Sequence, residues 1–460
     1  MKKLLSIFMA LCLIFSVALS ATSCGDGDGG DNLGGEVSNA YLNGAKLSDY
    51  TIVYSEESDY AYRAAEYIKS AALARTGVAL GICKGSEDSG KGRAILVGET
   101  DRPLSQALDE KTDGVEFAIT SDGTDIALEA ELFVIAAAAY YFVEAYIPNG
   151  GDFVSVVPSD ARVLQPIMKE AKNYILMIGD GMGELQTKMF DYLEDKSSIS
   201  DGEGEFYGYM LPYHGYSITN SLSGTTDSAA AATAMATGYK TYNRYLGIDG
   251  DGVERKNLTE LSLELGKSVG ILTTDTLTGA TPAGFTVHVS DRGESDLIRG
   301  QQNSLITDRG VIIDGNYSQY TPGIMKIIEK KVTDTLGKLS SDGDGFFMMY
   351  EEAHIDKSCS SGNIDNAFLS LIRFNQVIGR VMEFAFYNPD TMVIITADHE
   401  TGDLTVNEDG TLVLNTDEHT PKNVPVFAYG AGADAFGKTM ENTEIPKILA
   451  GLWGVEDFAK

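Results

Sequence analysis

Four apolar runs in the second part of the chain each close on polar or acidic residues: "YILMIGDGMG", "SVGILTTDT", "FFMMYEEAHID" and "MVIITADHE". They are nearly continuous in hydrophobicity and alternate with stretches of helical period, which predicts buried parallel strands covered on both faces. The expected fold class is α/β, a doubly wound, mostly parallel sheet spanning residues 170–460. In such a sheet ligands bind beyond the carboxyl ends of the strands. Asp180, Glu351, Asp356, Asp398 and His399 would gather there. Carboxylates crowded into one crevice repel each other and must take up protons or bind cations, and metal is the economical answer.

Residues 40–165 carry a smaller α/β pattern. Apolar runs "YTIVY", "AILVG", "VEFAIT" and "DIALEA" accompany two helical stretches, "DYAYRAAEYIKSAALARTG" and "LFVIAAAAYYFVEAYI". In the first helix Ala61, Ala64, Ala65, Ile68 and Ala72 share a face, and Gly77 is placed to end it. The order of elements and the segment "ILVGETDRP" resemble the small α/β domain that precedes the catalytic barrel in some glycoside hydrolases. No catalytic constellation falls within it, so an accessory role in packing or surface binding is expected.

Residues 1–23 have the form of a signal peptide, a basic "MKK" followed by an apolar stretch too short to span. "ATSC" then resembles a bacterial lipobox, with Ala21 where leucine is more typical, and marks Cys24 for lipidation. A Gly/Asp-rich tether covers residues 24–39. The expected location is extracytoplasmic, with a lipid anchor to a bacterial membrane or cell surface. Cys83 and Cys359 then remain, and they form no disulfide framework. The 67 acidic against 35 basic residues, a net charge of −32, argue against nucleic acid or anionic lipid as a partner and require strong local positive charge wherever an anionic substrate binds.

A nucleophile candidate lies in "SGTTDSAAAATAMATGYKTYN", where Asp227 and Ser228 begin an alanine-rich helix. The positive end of the helix dipole favours an alkoxide and a bound phosphate there. Plainer explanations exist for each piece. "GDGMG" is ordinary turn chemistry, and Asp227, Ser228 or Asp356 could each be a helix cap. Ligand-type groups at several strand ends together outweigh those readings.

The segments "GDGMG", "TTDSAAAATAMATGYKTYNRYLGID", "GATPAGFTVHVSDR", "FFMMYEEAHIDK", "TADHETG" and "EHT" resemble, in order, the signature segments of the alkaline phosphatases. The resemblance implies phosphomonoester hydrolysis through a phosphoserine at Ser228, with Arg292 gripping two phosphate oxygens as a planar guanidinium can. It implies Zn2+ at one or two positions, the first held by Asp180, Asp398 and His399, the second by Asp356 and His419. It places Mg2+ on Asp180, Thr281 and Glu351, an all-oxygen set, with Asp227 and Lys357 near the substrate. Small phosphate esters are the expected partners, and a homodimer is consistent with the resemblance.

Two departures stand out. The family usually supplies a histidine four residues after the position of Asp356, where this chain has Ser360; Cys359 is a possible substitute ligand, a better one than His354, and a weakened site with water filling the gap is the expectation. Two residues before Thr281, where some members carry an acidic or histidine residue that supports the magnesium, this chain has Gly279, so loosely held magnesium is the expectation. The alternative to the phosphatase is therefore a relative with altered chemistry, such as a phosphodiesterase, or a catalytically weak surface-binding lipoprotein.

Overall fold

The computed structural model describes residues 39–108, 112–150, 152–193, 205–317 and 322–460. The expected signal peptide, the lipidation site Cys24 and all of the expected tether except Asn39 lie outside the described residues. Among the described residues no helix is long and apolar enough to cross a membrane. The chain divides into two units: one ending at Ile167 that also takes in Met382–Asn388, and one of Met168–Val381 and Pro389–Lys460.

The first unit contains a six-stranded mixed sheet in the order Gly81–Lys84, Tyr50–Tyr54, Arg93–Val97, Ile126–Glu129, Phe117–Ser121, Arg162–Leu164. The helix Asp59–Thr76 buries Ala61, Ala64, Ala65, Ile68 and Ala72 along one face. Ser58 caps its start by accepting from the Ala61 amide, and Gly77 ends it in the left-handed region at φ +74°. The two outer strands, Gly81–Lys84 and Arg162–Leu164, are short and largely exposed and carry no strong apolar signal.

The second unit holds the larger sheet. Its elements are β1 (Asn173–Gly179), β2 (Tyr213–Ile218), α1 (Ser228–Thr237), β3 (Ser268–Thr273), α2 (Ala280–Gly284) and β4 (Ile312–Asp314). They continue through β5 (Phe346–Glu352), α3 (His354–Ser360), α4 (Ile364–Tyr387), β6 (Thr391–Thr396), β7 (Val424–Tyr429) and β8 (Thr439–Glu441). The strand order is β4-β3-β5-β1-β6-β7-β2-β8. Every pairing is parallel except the two made by β7. All residues of β1, β5 and β6 are buried, so both faces of the centre of the sheet are covered, as their continuous apolar runs predict.

One expectation is corrected here. The run "FFMMYEEAHID" is not a strand throughout: β5 stops at Glu352, and residues 354–360 form the short helix α3, with Asp356 as its third residue. Asp356 is therefore neither a strand-tip residue nor a helix cap, since Ala353 occupies the cap. Strand alternation still separates the two glutamates at the end of β5. Glu352, fully buried, is held by the Arg373 guanidinium of α4 and by the Thr274 hydroxyl at 3.1 Å. Burial alone would push the Glu352 carboxyl up, but the charge and hydrogen bond of Arg373 together with those of His354 outweigh it and bring its pKa to about 2.

Removing one partner of such a pair leaves the other buried and uncompensated. Arg373→Ala is expected to lower unfolding stability by about 3–5 kcal/mol, read from urea denaturation. A loss below about 1 kcal/mol would show that Glu352 is satisfied without it.

Candidate active site

The carboxyl ends of β1, β3, β5 and β6 bring the candidate residues to one edge of the sheet. β1 delivers Asp180, and the following Gly181 is forced to be glycine twice over. Its φ is +72°, and an added Cβ would sit 2.8 Å from both the Asp356 Cα and the Thr401 hydroxyl. The Gly181 amide donates to Asp398 Oδ1 at 3.1 Å. "GDGMG" is thus a tight turn and a site element together.

Two groups of ligand-type side chains result: Asp180, Asp398 and His399, and Asp356, His399 and His419, each with its ligand atoms within 4.8 Å of one another. His399 belongs to both, and its ring stacks on that of His419 with centroids 3.6 Å apart. His419 enters from the short strand His419–Thr420, paired with Glu400–Thr401, and its Nδ1 meets the Thr226 carbonyl at 2.9 Å. The Nε2 atom is thereby left facing Asp356, 3.4 Å away.

The helix α1 places the nucleophile candidate. Asp227 is its cap and accepts from the Ala230 amide at 2.9 Å, which leaves the Ser228 hydroxyl free of capping duty. Ser228 Oγ lies 3.3 Å from His399 Nε2. Arg292 donates to the second Asp227 oxygen at 3.2 Å, and the Arg244 amide donates to that same oxygen at 3.0 Å. Asp227 therefore orients the guanidinium as well as the helix. The Arg292 side chain is one-third exposed, so its other N–H groups face outward from this clamp.

The remaining candidates surround β3 and β5. Glu351 is buried and accepts from the Thr273 hydroxyl. The Thr281 hydroxyl on α2 is buried and makes no hydrogen bond, although it lies close enough to Glu351 to help draw that group's pKa down. Lys357 is half exposed and forms an ion pair with Asp275.

Electrostatics mark the same residues. Burial, then the charges of Asp398, Asp356 and Glu351, raise the Asp180 carboxyl well above the ordinary range. Burial raises Glu351 to about 7, and Asp275 is its strongest like-charged neighbour. Burial would lower His419, but its bond to Asp356 prevails and raises it to about 9. The reciprocal effect, with the imidazole of His399 adding to it, holds Asp356 near 2 against its own burial. Burial pushes His399 down, toward the neutral imidazole that ligates metal.

Whether these residues suit metal ions can be read from their unsatisfied atoms. Asp180 Oδ1, Asp398 Oδ2 and Thr281 Oγ1 are buried and have no hydrogen-bond partner. Buried polar atoms normally find one; two open carboxylate oxygens grouped with His399, and an open hydroxyl beside Glu351, form donor sets fitted to divalent cations.

Neither candidate substitute for a histidine at the position of Ser360 joins the site. Cys359 lies outside both groups. Its thiol turns toward Gln186, and burial together with the Asp356 charge pushes its pKa up to about 12, so it stays protonated. Successive helical residues point ~100° apart, so adjacency to Ser360 in sequence does not put Cys359 at the same place. His354 is no substitute either, since its Nδ1 meets the Thr274 hydroxyl at 3.0 Å on the Glu352 side. His288 and His214, assigned no metal role, are engaged locally with Gly247 and Glu260, and with Leu211. Sequence reasoning also missed Thr401, which donates to Asp356 Oδ1 at 2.5 Å and lies 3.3 Å from His399 Nδ1. Its only signal was its place inside "TADHETG".

Comparison with known proteins agrees with this geometry. The alkaline phosphatase family model matches residues 171–314 and 313–411, which together take in more than half of the chain. The chain is 32% identical to alkaline phosphatase 3 of Bacillus subtilis over 63% of its own length and 76% of that protein. The solved alkaline phosphatase of the Antarctic bacterium TAB5 shares the fold, with a TM-score of 0.55 at 24% identity over 62% of this chain and 99% of that one. A variant of that enzyme with Mg bound in its M3 site aligns with a TM-score of 0.54 at 25% identity, over 62% and 98% of the two chains. By its matched segments, its sheet and the side chains gathered at the sheet edge, the chain belongs to the alkaline phosphatase family.

Proposed function

We propose that this phosphatase-type hydrolase cleaves small phosphate monoesters through a phosphoserine on Ser228, with zinc and magnesium as cofactors. The observation that carries the reading is the placement of Ser228. Its hydroxyl sits at the amino end of a buried helix, beside His399, where two ligand groups with unsatisfied oxygens meet.

Zinc would be held by Asp180, Asp398 and His399 and by Asp356 and His419, and magnesium by Asp180, Thr281 and Glu351. When bound, such ions act as Lewis acids that lower the pKa of a hydroxyl or water and stabilise the entering and leaving oxygens of an in-line displacement. The protein's own groups do the rest. Arg292, aligned by Asp227, takes two phosphate oxygens and fixes the phosphorus in line with Ser228 Oγ. The free amide groups at the start of α1 favour the negative charge that develops. As the Oγ–P bond forms, the ester P–O bond breaks, and the proton lost by Ser228 is balanced by the one the leaving oxygen takes from solvent to depart as the alcohol. Water then attacks the phosphorus, the Oγ–P bond breaks, and inorganic phosphate leaves with Ser228 restored.

A weaker second zinc position is the specific alternative, and Ser360 favours it: Asp356 and His419 gain no third ligand from α3. A leader with a lipobox at Cys24 supports an extracytoplasmic, lipid-anchored enzyme.

With the full chain in zinc and magnesium, Ser228→Ala is expected to reduce turnover of a chromogenic phosphate monoester by at least about a thousandfold. Unchanged activity would remove the phosphoserine. Residues four apart share a helix face, so Ser360→His should raise both zinc occupancy, counted by elemental analysis, and turnover. If neither rises, another group already completes that position.

Zinc binding should also release protons in a pH-dependent way. A group with a raised pKa holds its proton below that value and must give it up to ligate. With His419 near 9, calorimetric zinc titration of the metal-free protein in buffers of different ionisation heat should show net release at pH 7 that fades above pH 9. His419→Ala should remove the component that fades through pH 9 and leave what the raised Asp180 carboxyl releases.

A further inference from the structure

Beside the expected magnesium set the structure holds one carboxylate more than that set contains, that of Asp275. Asp275 follows the end of β3 and lies in the loop leading to α2. Its Oδ2 is 2.8 Å from where a Cβ on Gly279 would be, so the Asp275 carboxylate fills the space that a side chain at 279 would enter. Gly279 is the residue before α2, and Thr281 is the second residue of that helix.

Three further contacts tie Asp275 to the site. The Thr273 hydroxyl accepts from the Asp275 amide at 2.8 Å and donates to Glu351, so a single hydroxyl links the two acidic residues. Lys357, on the helix that carries Asp356, pairs with Asp275 Oδ1. The Asp275 carbonyl accepts from the Asn316 amide at 2.6 Å, which fixes the loop independently of the carboxylate. A carboxylate is thus held over the residue two before Thr281, whose buried hydroxyl has no hydrogen-bond partner, and one shared hydroxyl away from Glu351. Lys357 occupies one of its oxygens, and the other faces the start of α2.

We infer that Asp275, clamped by Lys357, is the outer carboxylate of the magnesium position, the part that a side chain at residue 279 would otherwise play. This rests on the metal assignment made above. Asp275 is a positioning residue here: it orients the magnesium side of the site, while Asp180, Thr281 and Glu351 supply the direct ligands. The absence of a side chain at Gly279 then does not loosen the site, because the same space receives a carboxylate from four residues earlier.

The test is magnesium affinity, measured calorimetrically on the full chain in zinc-containing buffer without substrate. Removal of an outer-sphere partner typically costs ten- to a hundredfold in metal affinity, and Asp275→Asn is expected to weaken magnesium binding by about that factor. The double variant Asp275→Gly with Gly279→Asp, which moves the carboxylate to the other residue, should recover most of the loss. An Asp275→Asn affinity within about twofold of the parent, alongside a large loss in Glu351→Gln, would overturn the inference and leave the magnesium assignment standing. No loss in either variant would overturn both. A double variant that melts like the parent yet binds magnesium no better than Asp275→Asn would also overturn it, by assigning Asp275 to its own loop.

Discussion

Mutual repulsion among buried carboxylates is the constraint on which the rest of this site depends. Asp180, Glu351, Asp356 and Asp398 converge at the carboxyl edge of one sheet with little water to screen them. Each responds according to its partners. Asp356 has an imidazole and stays ionised; Asp180 and Glu351 have none of comparable strength and are driven toward the protonated form. A fold that buries so much like charge stores an appetite for cations, and the oxygens left without hydrogen bonds show where that appetite is directed.

The placement of positive charge complements this. The protein carries a large net negative charge, yet Arg292 and the amino end of α1 lie beside Ser228 and Lys357 beside Asp275. An anionic ester approaching the molecule meets repulsion except where these groups are concentrated, which confines productive binding to one place. Asp227 has the central structural part, since one carboxylate caps the helix and aligns the guanidinium.

Much of the fold was legible because fully buried parallel strands carry an unambiguous pattern. β1, β5 and β6 read as apolar runs with a polar terminus, and the polar terminus is the site. Legibility failed where one element gives way to another without a change of composition. Nothing in "EEAHIDKSCS" marks the passage from strand to helix, so the pattern reveals neither that Asp356 lies on a helix nor that helical rotation turns Cys359 away. Pairings set by tertiary structure were also invisible, such as Arg373 with Glu352 and Asp275 with the space over Gly279. Neither follows from spacing, because each depends on which neighbour the sheet brings alongside.

The helix α1 differs from an ordinary surface helix in being buried along its whole length, from Ser228 to Thr237. Its six alanines leave much of the backbone itself as the packing surface, and Met235 is the one long side chain it carries into the core. The coordinates of the serine oxygen are therefore set by the close fit of main chain to main chain. A methyl group added anywhere along these ten residues would reach the nucleophile as a displacement, although nine of them carry no chemistry of their own.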